Sequence, residues 1–170
     1  MLLNHFFAMM KGEMQETGDG QTAVIVCKDI YGSNRNWYWG NTSGAKLFYT
    51  NTVGIATSYA DNVRNWKVRI GTDDTPVTKE DYALGADLGA SLRTGTTWLV
   101  RVGNQVKNVC TTYLNSTDAD IVVKEVGLSI GVYNSSNDRE VLYARKVLDT
   151  PVTMHPGEQY TFTYIIEMIF

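Results

Sequence analysis

The sequence predicts an all-β protein: an antiparallel β-sandwich, immunoglobulin-like or jelly-roll-like, with one short helix and an N-terminal arm. Three observations carry this expectation. Apolar residues recur with period two along several segments, the spacing of a half-buried strand. Clusters of Asn, Ser, Asp, Pro and Gly separate those segments, as turns do. Hydrophobic residues reach 44% while charged residues are only 19%, the difference being filled by Thr, Asn, Ser and Gly. About seven or eight short strands at such spacing suit a sandwich.

The elements follow in chain order. Met1–Lys11 is apolar through Leu2, Leu3, Phe6, Phe7, Met9 and Met10, but Asn4 and His5 interrupt it and no basic stretch opens it. A secretory signal needs an unbroken apolar run of about 7–15 residues behind a basic start. Residues 1–20 are therefore expected to form an assembly arm that docks on a core or on a neighbouring subunit, and residues 21–170 a single domain. Thr22–Ile30 is the first strand candidate. From Asp29 to Asn51, Tyr31, Trp37, Tyr38, Trp39 and Tyr49 alternate with Gly, Ser and Asn, which suits a structured loop or a hairpin with long turns. Lys46–Thr52 is a further strand candidate. Trp66, Val68 and Ile70 alternate with Lys67 and Arg69.

Thr78–Leu84 differs in kind. Thr78 is an N-cap candidate after Pro76, Glu80 and Asp81 suit the dipole of a first turn, and Gly85 is a stop. One helix of one or two turns is expected there, with Tyr82 and Leu84 as its apolar plug. Beyond it, Trp98, Val100 and Val102 alternate with Leu99, Arg101 and Gly103, and Val106–Leu114 reads as the next strand. Val122, Val126, Leu128, Ile130 and Val132 share a face interrupted only by Lys124. Val141–Leu148 follows. In the last segment Tyr160, Phe162, Tyr164, Ile166, Met168 and Phe170 point one way and Gln159, Thr161, Thr163 and Glu167 the other. Asn115–Asp118, Asn134–Asp138 and His155–Glu158 each fit a connection between antiparallel strands.

Most chemistry is argued against. A formal net charge of -3 and a pI of about 5.3 speak against nucleic acid and against an anionic membrane surface as partners. No run approaches the ~20 apolar residues of a spanning helix. Nucleophilic catalysis needs a poised base, and the histidines are His5 in the arm and His155 in a turn. A small hydrolase dependent on His155 is the reading these residues favour least. Two isolated Cys and two isolated His do not make a zinc site. Asp73-Asp74 and Asp118-Ala119-Asp120 do not match a calcium loop. No phosphate-cradling glycine motif occurs. No catalytic residue, metal ligand or cofactor is expected. Cys27 and Cys110 lie in apolar runs and read as small buried hydrophobes, with a disulfide left open.

Two sets of residues remain. Glu125 and Arg145 are charges within apolar strand candidates, and on adjacent strands a bidentate carboxylate–guanidinium pair would lock their register. Tyr31, Trp37, Tyr38 and Trp39, rimmed by Asn36 and Asn41, are candidates for glycan or partner contact. The plainer alternative is that Trp37 and Trp39 pack on the core.

Two stretches carry a resemblance. The first is Val68–Leu84, with Thr75-Pro76-Val77-Thr78-Lys79-Glu80-Asp81-Tyr82-Ala83-Leu84. The second contains Ile121-Val122-Val123-Lys124-Glu125-Val126-Gly127-Leu128, Val141-Leu142-Tyr143-Ala144-Arg145, Pro151-Val152, Pro156-Gly157-Glu158 and Thr161-Phe162-Thr163-Tyr164-Ile165-Ile166. Together they cover about half the chain. Their order resembles a group of small structural proteins of tailed bacteriophages and prophages. In that group an "I-x-E-x-G-L-Y" strand precedes an "L-x-A-R" strand, a "P-V" step, a "P-G-E" turn and a final "T-Y-x-I" strand. A "G-T-G-x-T-P-x-T-x-x-D-Y-x-L" segment often stands upstream. The chain departs at Asp73, where the group commonly has a second glycine. The resemblance implies a non-enzymatic virion subunit, made in the bacterial host cytoplasm, whose partners are itself and other virion proteins. Head decoration, neck and tail or fibre positions all stay open. A carbohydrate-binding or host-adhesion module, with a host glycan as partner, is the alternative.

Overall fold

A computed structural model describes residues 23–39, 66–89, 92–102, 105–134 and 137–165. Within them lie eight strands and no helix: β1 (Ala23–Lys28), β2 (Asn34–Trp39), β3 (Trp66–Gly71), β4 (Arg93–Val102), β5 (Gln105–Leu114), β6 (Ile121–Asn134), β7 (Asn137–Met154) and β8 (Gln159–Ile165). They form antiparallel sheets in the orders β1-β2, β3-β6-β7 and β4-β5-β8. The predicted arm (Leu2, Leu3, Phe6, Phe7, Met9 and Met10) and the Lys46–Thr52 strand lie outside the described residues.

Period-two alternation places these strands. Trp66, Val68 and Ile70 on β3 are buried at 6%, 1% and 0% exposure, so the alternation marks a true core face. Ile70, Val123 and Met154 from one three-stranded sheet meet Tyr113 from the other, with Leu92, in a single apolar cluster. Phe162 of β8 packs edge-on to Tyr113, ring centroids 6.3 Å apart. The sheets are also joined through polar atoms. The Val68 N–H donates to Thr111 Oγ1 at 3.0 Å, and the Tyr113 hydroxyl donates to the Val68 carbonyl at 2.7 Å. Burial pushes the Tyr113 phenol pKa well up, so it stays a donor. Cys110 is buried and a free thiol, so no disulfide joins it to Cys27.

The connections use the turn chemistry of their sequences. Pro156 presets φ and Gly157 adopts φ +76°, and the Glu158 N–H closes the turn onto the His155 carbonyl at 3.1 Å, the pattern of a type II turn. Buried Asn115 fastens this turn to the β5–β6 connection. Its Nδ2 donates to the Ala119 and Met154 carbonyls at 2.9 and 2.8 Å, and its Oδ1 accepts from the Thr117 N–H and hydroxyl. Between Val123 and Glu125 the β6–β7 register jumps from Val152 to Val147. Pro151 lies in the extra β7 residues, where its missing N–H leaves no ladder bond unmade. Asp29 Oδ1 takes the N–H groups of Tyr31 and Ser33 and closes the β1–β2 turn, with Gly32 at φ +81°.

The expected helix at Thr78–Leu84 is not there. Thr78 does cap a turn: its N–H and hydroxyl donate to the two Asp81 carboxylate oxygens at 3.1 and 2.6 Å. The turn then stops instead of propagating. The N–H groups of Gly85 and Ala86, which would extend a helix, donate to Glu125 at 3.2 and 2.9 Å. A seven-residue segment gains little from helix formation alone, so a buried carboxylate outcompetes it. The segment from Thr72 to Gly89 becomes an irregular strap across the β3-β6-β7 sheet. It is closed on itself through Thr72 N–H to Ala86 O and stitched to β3 through Leu88 N–H to Ile70 O.

Candidate functional site

The strap covers one face of that sheet, and the register explains which side chains it finds there. Lys67 stands opposite Ser129, Arg69 opposite Gly127 and Gly71 opposite Glu125, while Gly127 also faces Arg145 on β7. Directly opposed residues of an antiparallel pair share a face. One face of a largely apolar sheet therefore carries two arginines and their acids, with glycines between them. A Cβ on Gly127 would meet Leu142 Cδ1 at 2.7 Å and Leu84 Cδ2 at 2.8 Å. The bare backbone is what lets the strap's Leu84 reach down to Leu142.

Glu125 and Arg145 come together. Glu125 is 0% exposed and Arg145 3%. The contact is a single one, Arg145 Nε donating to Glu125 Oε2 at 2.7 Å, rather than the bidentate pair expected from the sequence. The rest of the guanidinium is used by the strap. Nη1 donates to Asp81 at 2.8 Å and Nη2 to Asp73 at 3.0 Å. Glu125 in turn fills its other lone pairs with the strap N–H groups of Gly85 and Ala86. A buried charge is tolerated when it is paired and hydrogen-bonded, and both ions are.

A second network lies beside it. Arg69 donates through Nε to Asp87 at 2.7 Å, through Nη2 again to Asp87, and through Nη1 to Glu140 of β7. Lys67 and the Ser129 hydroxyl approach the same Glu140 carboxylate at 3.4 and 3.2 Å. Each arginine thus ties β7 or β6 to the strap, and the strap's acids Asp73, Asp81 and Asp87 are all engaged.

The electrostatics follow the geometry. Burial is the largest influence on Glu140 and pushes its carboxyl up, but Arg69 and Lys67 together outweigh it and hold the group below the ordinary carboxylate range. Asp81 behaves alike: burial raises it, and donors from Thr78 and Arg145 bring it below its ordinary value. Asp73 is lowered first by the Thr75 hydroxyl and then by Arg145. Burial works against the charge of Arg69 and Arg145, yet the surrounding acids hold both more firmly protonated.

The other predicted residues fall elsewhere. Tyr31 projects from the β1–β2 turn, 72% exposed. Trp37, Tyr38 and Trp39 lie in β2, paired with Ile25, Val24 and Ala23 of β1. Their side chains are outside the described residues. His155 Nδ1 stands 2.9 Å from Asp120 Oδ1 on the surface, a contact that raises the imidazole pKa. Among the described residues no group of His, Cys, Asp and Glu is arranged to hold a metal ion, and no helix is long and apolar enough to cross a membrane.

Sequence reasoning missed Arg69, Asp87, Glu140, Asp73 and Asp81 as network members. Arg69 carried a usable signal, since it sits between Val68 and Ile70 as Arg145 sits in its own apolar run. The acids did not, because solvated turn carboxylates look the same in sequence. Together the two networks fasten the connection to three strands, β3, β6 and β7. No protein-family model matches the sequence, and searches of curated proteins and of solved structures find no match either.

Proposed function

We propose that the chain is a non-enzymatic structural subunit of a tailed-phage particle, a β-sandwich that assembles with copies of itself and with other virion proteins. In this reading the two three-stranded sheets are the layers of the sandwich, sharing the Ile70, Val123, Met154 and Tyr113 cluster. One observation carries it. The separate motifs behind the phage resemblance converge on a single place. Asp81 and Leu84 of the upstream segment, Glu125 and Gly127 of the next, and Leu142 and Arg145 of the third are the residues that meet under the strap. A sequence pattern whose letters meet in a strand-locking cluster supports a protein selected for a rigid shape. Asp73, where the chain departs from the pattern, supplies the third carboxylate on Arg145.

Light scattering on the purified chain, then on a version lacking Met1–Lys11, tests the assembly role. A defined oligomer supports it, and dissociation on truncation assigns the arm as its clamp. A strict monomer at every concentration in both samples counts against self-assembly. A second reading, a glycan-binding module, is favoured by the projecting Tyr31. Glycan-array binding that is lost in Tyr31→Ala, Trp37→Ala and Trp39→Ala, with unchanged melting curves, would select it.

A further inference from the structure

The buried ions of the β3-β6-β7 sheet, Arg69, Glu125 and Arg145, are all engaged by the strap, so an assembly surface has to be found elsewhere, and β8 offers one. Among the described residues it is the outermost strand of the β4-β5-β8 sheet, paired with β5 on one side. Along its seven residues exposed and half-exposed positions alternate and none is buried, whereas Val109 to Tyr113 on its neighbour β5 are all buried. Among the described residues no strand pairs with the other edge of β8. Open edges usually carry a guard: a lysine, a proline, an inward charge or a bulge. Gln159-Tyr160-Thr161-Phe162-Thr163-Tyr164-Ile165 has none of these, and its pairing with β5 runs without a register shift.

The same sequence fits itself. Two copies aligned antiparallel about Phe162 place Gln159 opposite Ile165, Tyr160 opposite Tyr164, Thr161 opposite Thr163 and Phe162 opposite Phe162. No charge meets a like charge anywhere in the pair. The half-buried side gives aromatic–aromatic neighbours and the exposed side Thr–Thr neighbours, both favourable cross-strand combinations. A two-fold contact needs this kind of self-complementarity. We propose that β8 pairs with β8 of a second copy of this chain, joining two β4-β5-β8 sheets into one continuous six-stranded sheet. The occupant named here rests on the proposed reading of the chain as a self-assembling subunit, and it specifies the surface which that reading leaves open.

The test uses the full chain and two charge variants at exposed edge positions, Gln159→Lys with Ile165→Lys, and Gln159→Glu with Ile165→Glu. Each double variant puts like charges opposite one another at both ends of the pair. Analytical ultracentrifugation at low salt should show each variant dimerising roughly tenfold more weakly than the native chain. An equimolar mixture of the two, where Lys faces Glu, should recover the native affinity, which a merely unfolded variant cannot do. Circular dichroism melts of each variant check the fold directly. If both variants associate as tightly as the native chain, the edge is not the contact, while self-assembly through another surface, such as the arm, still stands. If the native chain is monomeric throughout, both this pairing and the self-assembly role fall. If the variants weaken but the mixture does not recover, the antiparallel β8–β8 register is wrong.

Discussion

Replacing Arg145 with Met isolates the clamp. The substitution keeps much of the aliphatic bulk and removes the guanidinium that Glu125, Asp81 and Asp73 share. Breaking a buried ion pair by deleting one partner costs about 3–5 kcal/mol, because the other charge is left uncompensated. Glu125 is that charge here, at 0% exposure. It keeps the Gly85 and Ala86 N–H groups, which places the expected loss toward the lower end. For a chain of this size ~1 kcal/mol moves the melting temperature by about 2–4 °C, so a fall of roughly 6–20 °C is expected in thermal melts followed by circular dichroism. Glu125→Gln should cost less, about 1–3 kcal/mol, since the amide still accepts hydrogen bonds and Arg145 keeps two acids. In the double variant the two losses should not add, with a coupling of about 0.5–3 kcal/mol. If Arg145→Met melts within about 1 °C of the native chain, less than even ~1 kcal/mol would produce, the guanidinium is a bystander and the clamp is no lock.

Other consequences are directly measurable. Gly127→Ala should destabilise by about 1–3 kcal/mol in urea titrations, because its methyl would displace Leu142 and Leu84. Asn115→Ala should cost about 2–4 kcal/mol at ~1 kcal/mol per lost bond, and loosen both turns it joins. Glu140 and Asp81 have folded pKa values below their unfolded ones, so their stabilisation is fully present above the unfolded carboxylate range, near pH 4, and lost as pH falls through the folded values. The carboxylate contribution to the urea midpoints should therefore be constant above about pH 5.5 and drop below about pH 4.5. His155 has the opposite sign: its raised pKa favours the folded state below the unfolded value near 6.5, and that increment fades as pH rises through the folded value.

The strands were legible because a two-residue period is a local signal, and Trp66–Gly71 or Gln159–Ile165 state it within a few residues. Glu125 and Arg145 stood out for another reason: an ion inside an apolar run demands a partner. The strap was not legible. Asp81 and Asp73 find Arg145 across sequence separations of 64 and 72 residues, and nothing near them announces it. Thr78, Glu80 and Asp81 misled because an N-cap residue and an acidic first turn are written identically whether or not a helix follows. Whether it does was decided by Glu125, which claims the N–H groups of Gly85 and Ala86 from some 40 residues downstream.

Those separations also bear on the order in which the chain folds. The strap is fastened by groups brought near only after β6 and β7 have paired, and closing such long loops early gives no return. We expect it to lock last and release first. Arg145→Met should then speed the unfolding limb of a chevron plot and leave the refolding limb almost untouched. Amide hydrogens of Gly85 and Ala86 should exchange by a local opening, well ahead of those in β5. The sheet would be the slow clock of the molecule, and the clamp its fast latch.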